Sequence, residues 1–529
     1  MLLALDPDPT AEDLDSRLES LLAKQTEVDF LGTGYGPEPK ESAFEVCARI
    51  FDTHRLADGC FKVGLPFKPE IYALGFNYNL SLRRQQRLET KSTVEEMRLH
   101  YEEFRKFIRQ GILVPSSYGP EPSTGPPQLP RHFLAHRSVF KIAGNGQLKV
   151  RPVVDCSAKS SSGKSLNDCL ETGPSLIEDL LRLQLQFRLP RRVLISDLSS
   201  AFYGIQVREE HRRLLQVLLP RDYSKPIGPH NVHAYSYTRL IMGASPSPNL
   251  LLFTLSQLAK EALDRNGDVS ACGLSKGELE ELPHQLYVDN LISCFESAED
   301  GRRLASSLQR FFAQAQQRLC QFASNDPATL SELAEEDICA KLSIKNLGLQ
   351  WTTGTDSISP VMPDLSSDGV LTRRLLLSLV AKSAFTPKEP WDTPASDKTV
   401  AAWDKIRSGF SHLSDLSYPR CLIGARDASY RLVVFADGSE RAYGYVAYLV
   451  AEQSLSPASD SQPGLADVRF VLAKSRLTGV PRVHKAKDPA LENETLILAA
   501  INAEPSLADQ LVLADLPYHQ IVKKLAWLL

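Results

Sequence analysis

At 529 residues the chain is too long for one hydrophobic core, so several domains are expected. A hydrophobic fraction of 43% and a charged fraction of 23% are those of an ordinary globular protein; no apolar run reaches bilayer length, and Met1-Leu2-Leu3-Ala4-Leu5 meets Asp6 and Asp8 without a basic leader or an apolar core, so neither a membrane span nor a secretory leader is expected. The formal charge of −4 excludes the globally basic surface of a non-specific phosphate binder but not a basic channel, and nine cysteines without a CxxC pair or metal-ligand spacing fit reduced thiols in an intracellular protein.

Residues 1–27 are acidic and polar, with a short helical pattern over 13–22. Residues 81–111 predict long helices whose cations Arg83, Arg84, Arg87, Arg98, Arg105, Lys106 and Arg109 stand among glutamates, more the pattern of a solvated amphipathic face than of a nucleic-acid contact. A Pro- and Gly-rich loop over 115–130 follows. His136-Arg137-Ser138-Val139-Phe140-Lys141-Ile142, the turn Gly144-Asn145-Gly146 and a strand through Arg151 make a hairpin signature. Apolar residues at helical spacing over 175–187 lead through Leu189-Pro190-Arg191-Arg192 into an apolar strand that carries Asp197. A Gly/Ser/Pro turn over 239–249 runs into a helix over 250–263, with Ser247-Pro248 at its start. A second apolar run over 284–292 is interrupted by Asp289. Helical patterns over 299–315, 372–380 and 403–413 precede alternating strands over 431–440 and 442–450 around Asp437.

Two apolar strands that bring Asp197 and Asp289 to one point would make a divalent-metal site, because hard cations such as Mg²⁺ take oxygen ligands and are held by one or two carboxylates plus substrate phosphates. Either aspartate alone reads more readily as a turn or cap residue. Their surroundings separate the two cases. The order is a basic strand with Lys149 and Arg151, the Asp197 strand, the Gly243 turn into a helix, and the hairpin Tyr287-Val288-Asp289-Asn290. That order resembles the fingers and palm of a reverse transcriptase. More closely, Asp155-Cys156-Ser157-Ala158-Lys159, Ser165-Leu166-Asn167-Asp168, Thr172-Gly173-Pro174, Lys345-Asn346-Leu347-Gly348-Leu349-Gln350-Trp351 and Phe435-Ala436-Asp437-Gly438-Ser439-Glu440 resemble the Pol polyprotein of BEL/Pao-type LTR retrotransposons, over most of the chain.

The resemblance implies an α+β, multidomain fold: a right hand of fingers, palm and thumb, then a truncated ribonuclease H-like α/β domain. It implies a lead-in and helical segment over 1–110, fingers and palm over 111–335, primer grip and a shortened thumb or connection over 336–428, and an incomplete ribonuclease H-like domain over 429–529. The implied activity is RNA-directed DNA polymerase, with catalytic Asp197, Asp289 and Asn290, and two Mg²⁺ (or Mn²⁺) ions on Asp197 and Asp289. Arg151, with Lys149 or Lys141, would bind the triphosphate, Gly243 would let backbone approach the nucleotide, and Phe202 would be the steric gate that selects deoxynucleotides; without the motif, Phe202 would be read as core. Gly348, Leu349, Gln350 and Trp351 would grip the primer. Asp437, Glu494 (or Glu492) and Asp515 would be ribonuclease H ligands. The implied partners are an RNA template, a DNA primer or RNA–DNA hybrid, dNTPs, other Pol and Gag products and a second copy of the chain, with no membrane, in a cytoplasmic virus-like particle or the nucleus.

Four features depart from the family pattern. Asn290 replaces a commoner second aspartate, Met242 stands where Gln is frequent, the segment from Ala384 to Pro390 passes directly to Trp391-Asp392, and the chain stops before a fourth nuclease carboxylate. They support a rival reading: a decayed or domesticated remnant that keeps the fold and at most binds nucleic acid.

Overall fold

The computed structural model describes residues 41–116, 129–142, 148–264, 273–361, 394, 396–411, 416–423, 429–438, 442–452 and 468–477. The helical patterns at 13–22 and 372–380, the turn at 144–146, and Trp391, Asp392, Glu492, Glu494 and Asp515 lie outside them. The chain forms two units, one of residues 39–178 and 192–340, the other containing 179–191 and 341–529.

The first unit opens with α1 (Ala43–Ile50), β1 (Thr53–Arg55), β2 (Phe61–Val63), α2 (Tyr78–Lys91), α3 (Val94–Arg109), β3 (Leu113–Pro115), β4 (Ala135–Ile142) and β5 (Leu148–Asp155). Helix α4 (Leu180–Arg188) belongs to the other unit. The first then resumes with β6 (Arg192–Ser199), β7 (Gln206–Val207), β8 (Gln216–Leu219), β9 (His233–Tyr237), α5 (Ser247–Asp264), α6 (Lys276–Glu281), β10 (Leu286–Tyr287), β11 (Asn290–Phe295), α7 (Ala298–Ala313) and β12 (Arg318–Ser324). Its main sheet has the order β10-β11-β6-β12, with each neighbouring pair antiparallel. Val193, Leu194 and Ile195 of β6 are buried, as are the seven consecutive residues of α5 from Asn249 to Leu255, so these runs mark burial on more than one side.

The long helical stretch expected over 81–111 is two helices, broken at Ser92-Thr93 because Thr93 caps α3: its hydroxyl accepts from Glu96 N at 3.2 Å while Thr93 N–H donates to the Glu96 carboxylate at 2.8 Å. Helix α3 buries His100, Tyr101 and Phe104. On its surface Arg98 pairs with Glu95, Lys106 with Glu103, and Arg105 and Arg109 with Glu102, so its cations are matched locally. On either side of residue 110, Tyr101, Phe104 and Ile112 share one apolar core with Leu134, Val154 and the main sheet.

The second unit contains α4, β13 (Ser343–Asn346), β14 (Leu349–Thr352), β15 (Ser357–Pro360), α8 (Asp397–Ser411), β16 (Tyr418–Pro419), β17 (Ser429–Gly438), β18 (Ala442–Glu452) and β19 (Val468–Leu477). Strands β13 to β16 form one sheet in chain order, and β17-β18-β19 form an antiparallel meander. Residues 179–191 belong with a segment that begins 150 residues later, at 341. Phe187 of α4 lies edge-on to Trp351, with ring centroids 5.2 Å apart.

Candidate active site

Asp197 lies on β6, an inner strand of the main sheet flanked by β11 and β12. It faces Asn290 of β11 on one side and Cys320 of β12 on the other. The run over 284–292 is not one strand but a tight hairpin: Tyr287 pairs with Asn290, leaving Val288 and Asp289 as the two central turn residues. Val288 has φ +59°, the sign that a two-residue hairpin turn demands at its first central position and that a β-branched residue rarely adopts. The turn is held to β6 by the Leu198 amide, which donates to the Asp289 carbonyl at 2.8 Å. That bond brings Asp289 beside the strand that carries Asp197. Asn290 donates from Nδ2 to Asp289 Oδ1 at 3.3 Å, so it occupies one lone pair of that carboxylate.

Both carboxyls are half-buried and both resist ionisation. Burial first, then the negative charge of Asp289, pushes Asp197 up to about 6, against a downward pull from Arg151. Burial also raises Asp289, opposed by its own backbone N–H and by Arg151. Two hard oxygen donors whose charges repel in a partly desolvated place suit a divalent cation. Among the described residues no group of three or more His, Cys, Asp or Glu side chains converges on one point, so the donor set is the pair itself.

Arg151 lies exposed on β5, opposite Val139 of β4, within electrostatic reach of both aspartates. Lys149 pairs with Lys141 in the same hairpin; their side chains lie outside the description. Gly243 has φ +111°, and a Cβ there would stand 2.7 Å from the Val154 carbonyl oxygen of β5, so only glycine fits against that strand. Next to it Met242 is 62% exposed, an apolar side chain left in solvent. Phe202 is 7% exposed and belongs to the main core, in a 3₁₀ turn over Ala201–Gly204 that follows β6. What it can offer a ligand is therefore an edge.

Sequence patterns did not single out the residue that ties these parts together. Asn167 donates from Nδ2 to the Gly243 carbonyl at 3.0 Å and to Ser157 Oγ at 2.9 Å, and its Oδ1 accepts from Ser245 N at 2.9 Å. Asn249, 4% exposed, does the same one turn later, donating to the Thr172 and Pro174 carbonyls and accepting from Leu176 N. Their only signal was membership of a family motif or of the turn into α5, because each bridges more than seventy residues of chain.

In the second unit Leu347 and Gly348, with φ +46° and +84°, make a two-residue turn between β13 and β14. Gly348, Leu349 and Gln350 sit at or beside this turn. Trp351 is wholly buried and donates from Nε1 to Asp356 at 3.0 Å. The expectation that Trp351 itself contacts a primer is corrected by that burial: the indole braces the hairpin from within. Asp437 sits on β17 opposite Gly444, with its side chain outside the description.

These features define a multidomain α+β protein with a carboxylate pair where two strands of its main sheet meet. Residues 369–511 match the family described as Pao retrotransposon-like RNaseH-like domain. The relationship to Pao-type retrotransposon Pol proteins expected from the motifs is thereby borne out over those residues. Among curated proteins no match was found. Among solved structures the chain is similar to a foamy viral protease-reverse transcriptase in complex with RNA/DNA hybrid, at 13% identity and TM-score 0.42 over 79% of this chain and 47% of that one. It is also similar to a foamy viral protease-reverse transcriptase dRH in complex with double-stranded DNA, at 14% identity and TM-score 0.42 over 75% and 58%. The chain thus spans about half the length of those it resembles.

Proposed function

We propose that the chain is the RNA-directed DNA polymerase of a retrotransposon, arranged as fingers, palm and thumb, which joins dNTPs to a primer 3′-hydroxyl on an RNA template. The observation that carries this reading is the pairing of Asp197 with Asp289, two carboxylates kept hard to ionise by burial, Asp197 also by the charge of Asp289, with the Arg151 guanidinium in reach of both. Such a pair costs stability unless a cation shares it.

Asp197 and Asp289 would hold Mg²⁺ or Mn²⁺, which when bound makes the attacking hydroxyl more acidic and neutralises charge on the leaving oxygens. Arg151, exposed and always charged, binds the triphosphate, a task suited to a planar fork of donors. Gly243 keeps the turn wall flat beside the nucleotide, and the edge of Phe202 excludes a ribose 2′-hydroxyl. Asn290 orients Asp289 through their hydrogen bond and adds no charge of its own. The hairpin at Gly348 to Gln350 serves the primer end, and Asp437 and Glu494 (or Glu492), within the matched residues 369–511, serve RNA-strand hydrolysis together with Asp515 just after them. The natural setting is a particle formed with other products of the parent element.

The test is dNTP incorporation on a poly(rA)–oligo(dT) primer-template with Mg²⁺ or Mn²⁺, comparing the chain with Asp289→Ala. Incorporation that this substitution abolishes is the expected result. No incorporation from folded protein that still binds the hybrid would overturn the polymerase reading in favour of a remnant, whose weakness would lie in the missing charge at Asn290.

A further inference from the structure

The turn that carries Phe202 is too short to hold itself. Ser200 leaves β6 in the left-handed region at φ +54°, and the 3₁₀ segment over Ala201–Gly204 has four residues, a length at which its internal hydrogen bonds are few and poorly aligned. Its support comes from the residue that precedes the neighbouring strand β12. Gln317, 3% exposed, donates from Nε2 to the Ala201 carbonyl at 3.1 Å. The same amide closes on Gly204: a Cβ there would stand 2.4 Å from Gln317 Nε2 and 2.8 Å from Oε1. The Cys60 thiol donates to the Gly204 carbonyl at 3.2 Å and pins the turn from another direction.

Gln317 is itself fixed. Its backbone N–H donates to the Phe312 carbonyl at 3.1 Å, at the end of α7, and Gln316 before it is in the left-handed region at φ +59°. Directly after it β12 begins, pairing Arg318 with Ser199 and Cys320 with Asp197. One residue therefore links the strand beside Asp197 to the seat of Phe202. Its Oε1 is buried without a hydrogen-bond partner, and turning the amide over would set that oxygen against the Ala201 carbonyl. A core position that keeps an unpaired acceptor instead of an apolar side chain is costly for stability alone.

We infer that Gln317 is the positioning residue for Phe202: by holding Ala201 and closing on Gly204 it sets how far the ring reaches, and so sets discrimination between deoxynucleotides and ribonucleotides. This rests on the polymerase reading. The experiment uses the full chain as wild type, Phe202→Ala, Gln317→Leu, Gly204→Ala and the Gly204→Ala/Gln317→Ala double variant, with kcat and KM measured for dTTP and UTP on poly(rA)–oligo(dT). Gln317→Leu, which keeps the bulk and removes the donor, is expected to lower dTTP over UTP discrimination about tenfold, mostly through KM. Gly204→Ala is expected to do the same, and the double variant to recover part of the loss, since the new methyl and the amide compete for one space.

Discrimination unchanged in Gln317→Leu while Phe202→Ala loses it would overturn the inference, and so would unchanged discrimination in both. If the wild type incorporates nothing, the polymerase reading fails separately. Amide exchange then decides the positioning, at Tyr203 and Ile205, whose N–H groups donate to the Ser200 and Phe202 carbonyls. Faster exchange there in Gln317→Leu supports the strut, and unchanged exchange overturns it.

Discussion

Arg420 grips Asp356 with two parallel hydrogen bonds, Nε to Oδ1 at 2.6 Å and Nη2 to Oδ2 at 2.9 Å, from a side chain with no solvent exposure. Its other donors reach the carbonyls of Phe187, in the last turn of α4, and of Pro190 and Arg191 beyond its end. Asp356 in turn accepts from the Trp351 indole. The network satisfies a buried guanidinium fully, which is the condition under which burial of a charge is tolerated.

Removing its centre should therefore be severe. Arg420→Ala leaves a carboxylate and three carbonyls short of donors, and is expected to cost on the order of 3 to 5 kcal/mol. Arg420→Lys should recover little, because a single ammonium cannot span the same fork. Urea melts of the full chain check both, and a midpoint within error of wild type for Arg420→Ala would refute the account.

A second prediction concerns acid. His136 donates from Nε2 to the Leu218 carbonyl at 3.0 Å, so its Nδ1 accepts from His100 Nε2 at 3.1 Å, and His100 Nδ1 accepts from the Ser138 hydroxyl at 2.7 Å. Both rings must stay neutral for this chain of bonds. Burial pulls His136 down to about 4, and burial with the neighbouring imidazole pulls His100 to about 2. The unfolded chain, with pKa near 6.5, binds protons first, so stability is full above that pH and falls as pH drops towards 4. The loss from His136 alone is on the order of 3 kcal/mol. Thermal melts between pH 7.5 and 4.5 should show it, and His136→Gln, which keeps a donor for Leu218, should flatten the slope. A wild-type melt independent of pH across that range would contradict the relay.

The third concerns the Gly243 turn. Asn167→Ala removes the two hydrogen bonds that tie it to the 157–167 segment and a third, to Ser157, that steadies the segment itself, and kcat/KM in the incorporation assay is expected to fall by roughly tenfold to a hundredfold. Asn167→Asp should recover little of this, since a carboxylate still accepts from Ser245 but repels the Gly243 carbonyl. Gly243→Ala is expected to cost about 1 to 3 kcal/mol from its φ, before the clash with Val154 is counted. Steady-state kinetics paired with melts separate the two effects.

Local chemistry was readable where it acts locally. The hairpin of β4 and β5 was expected from a strand, a Gly-rich turn and a strand, and its pairing runs from Ala135 with Asp155 to Ile142 with Leu148. Helix α5 was expected over 250–263 and spans Ser247–Asp264. Both strands that bring in Asp197 and Asp289 were visible as apolar runs, though the second proved to be a turn between two strands. What could not be read was action at a distance. Asn167 and Gln317 are ordinary polar residues until the fold brings Gly243 and Ala201 to them. Trp351 followed a motif, but only packing showed that its indole points inward.

The chain leaves its first unit at residue 178 and returns at 192, lending α4 to the second. That loan constrains how the molecule can be divided. A fragment cut after residue 340 would retain α4 but lose the hairpin and the Arg420 network it rests on, leaving Leu183, Leu185 and Phe187, each at most 2% exposed, open to water. Such a fragment should aggregate through that stripe. A soluble version of the first unit would instead need residues 179–191 replaced by a short polar bridge, with the excised helix supplied to the remainder as a separate peptide.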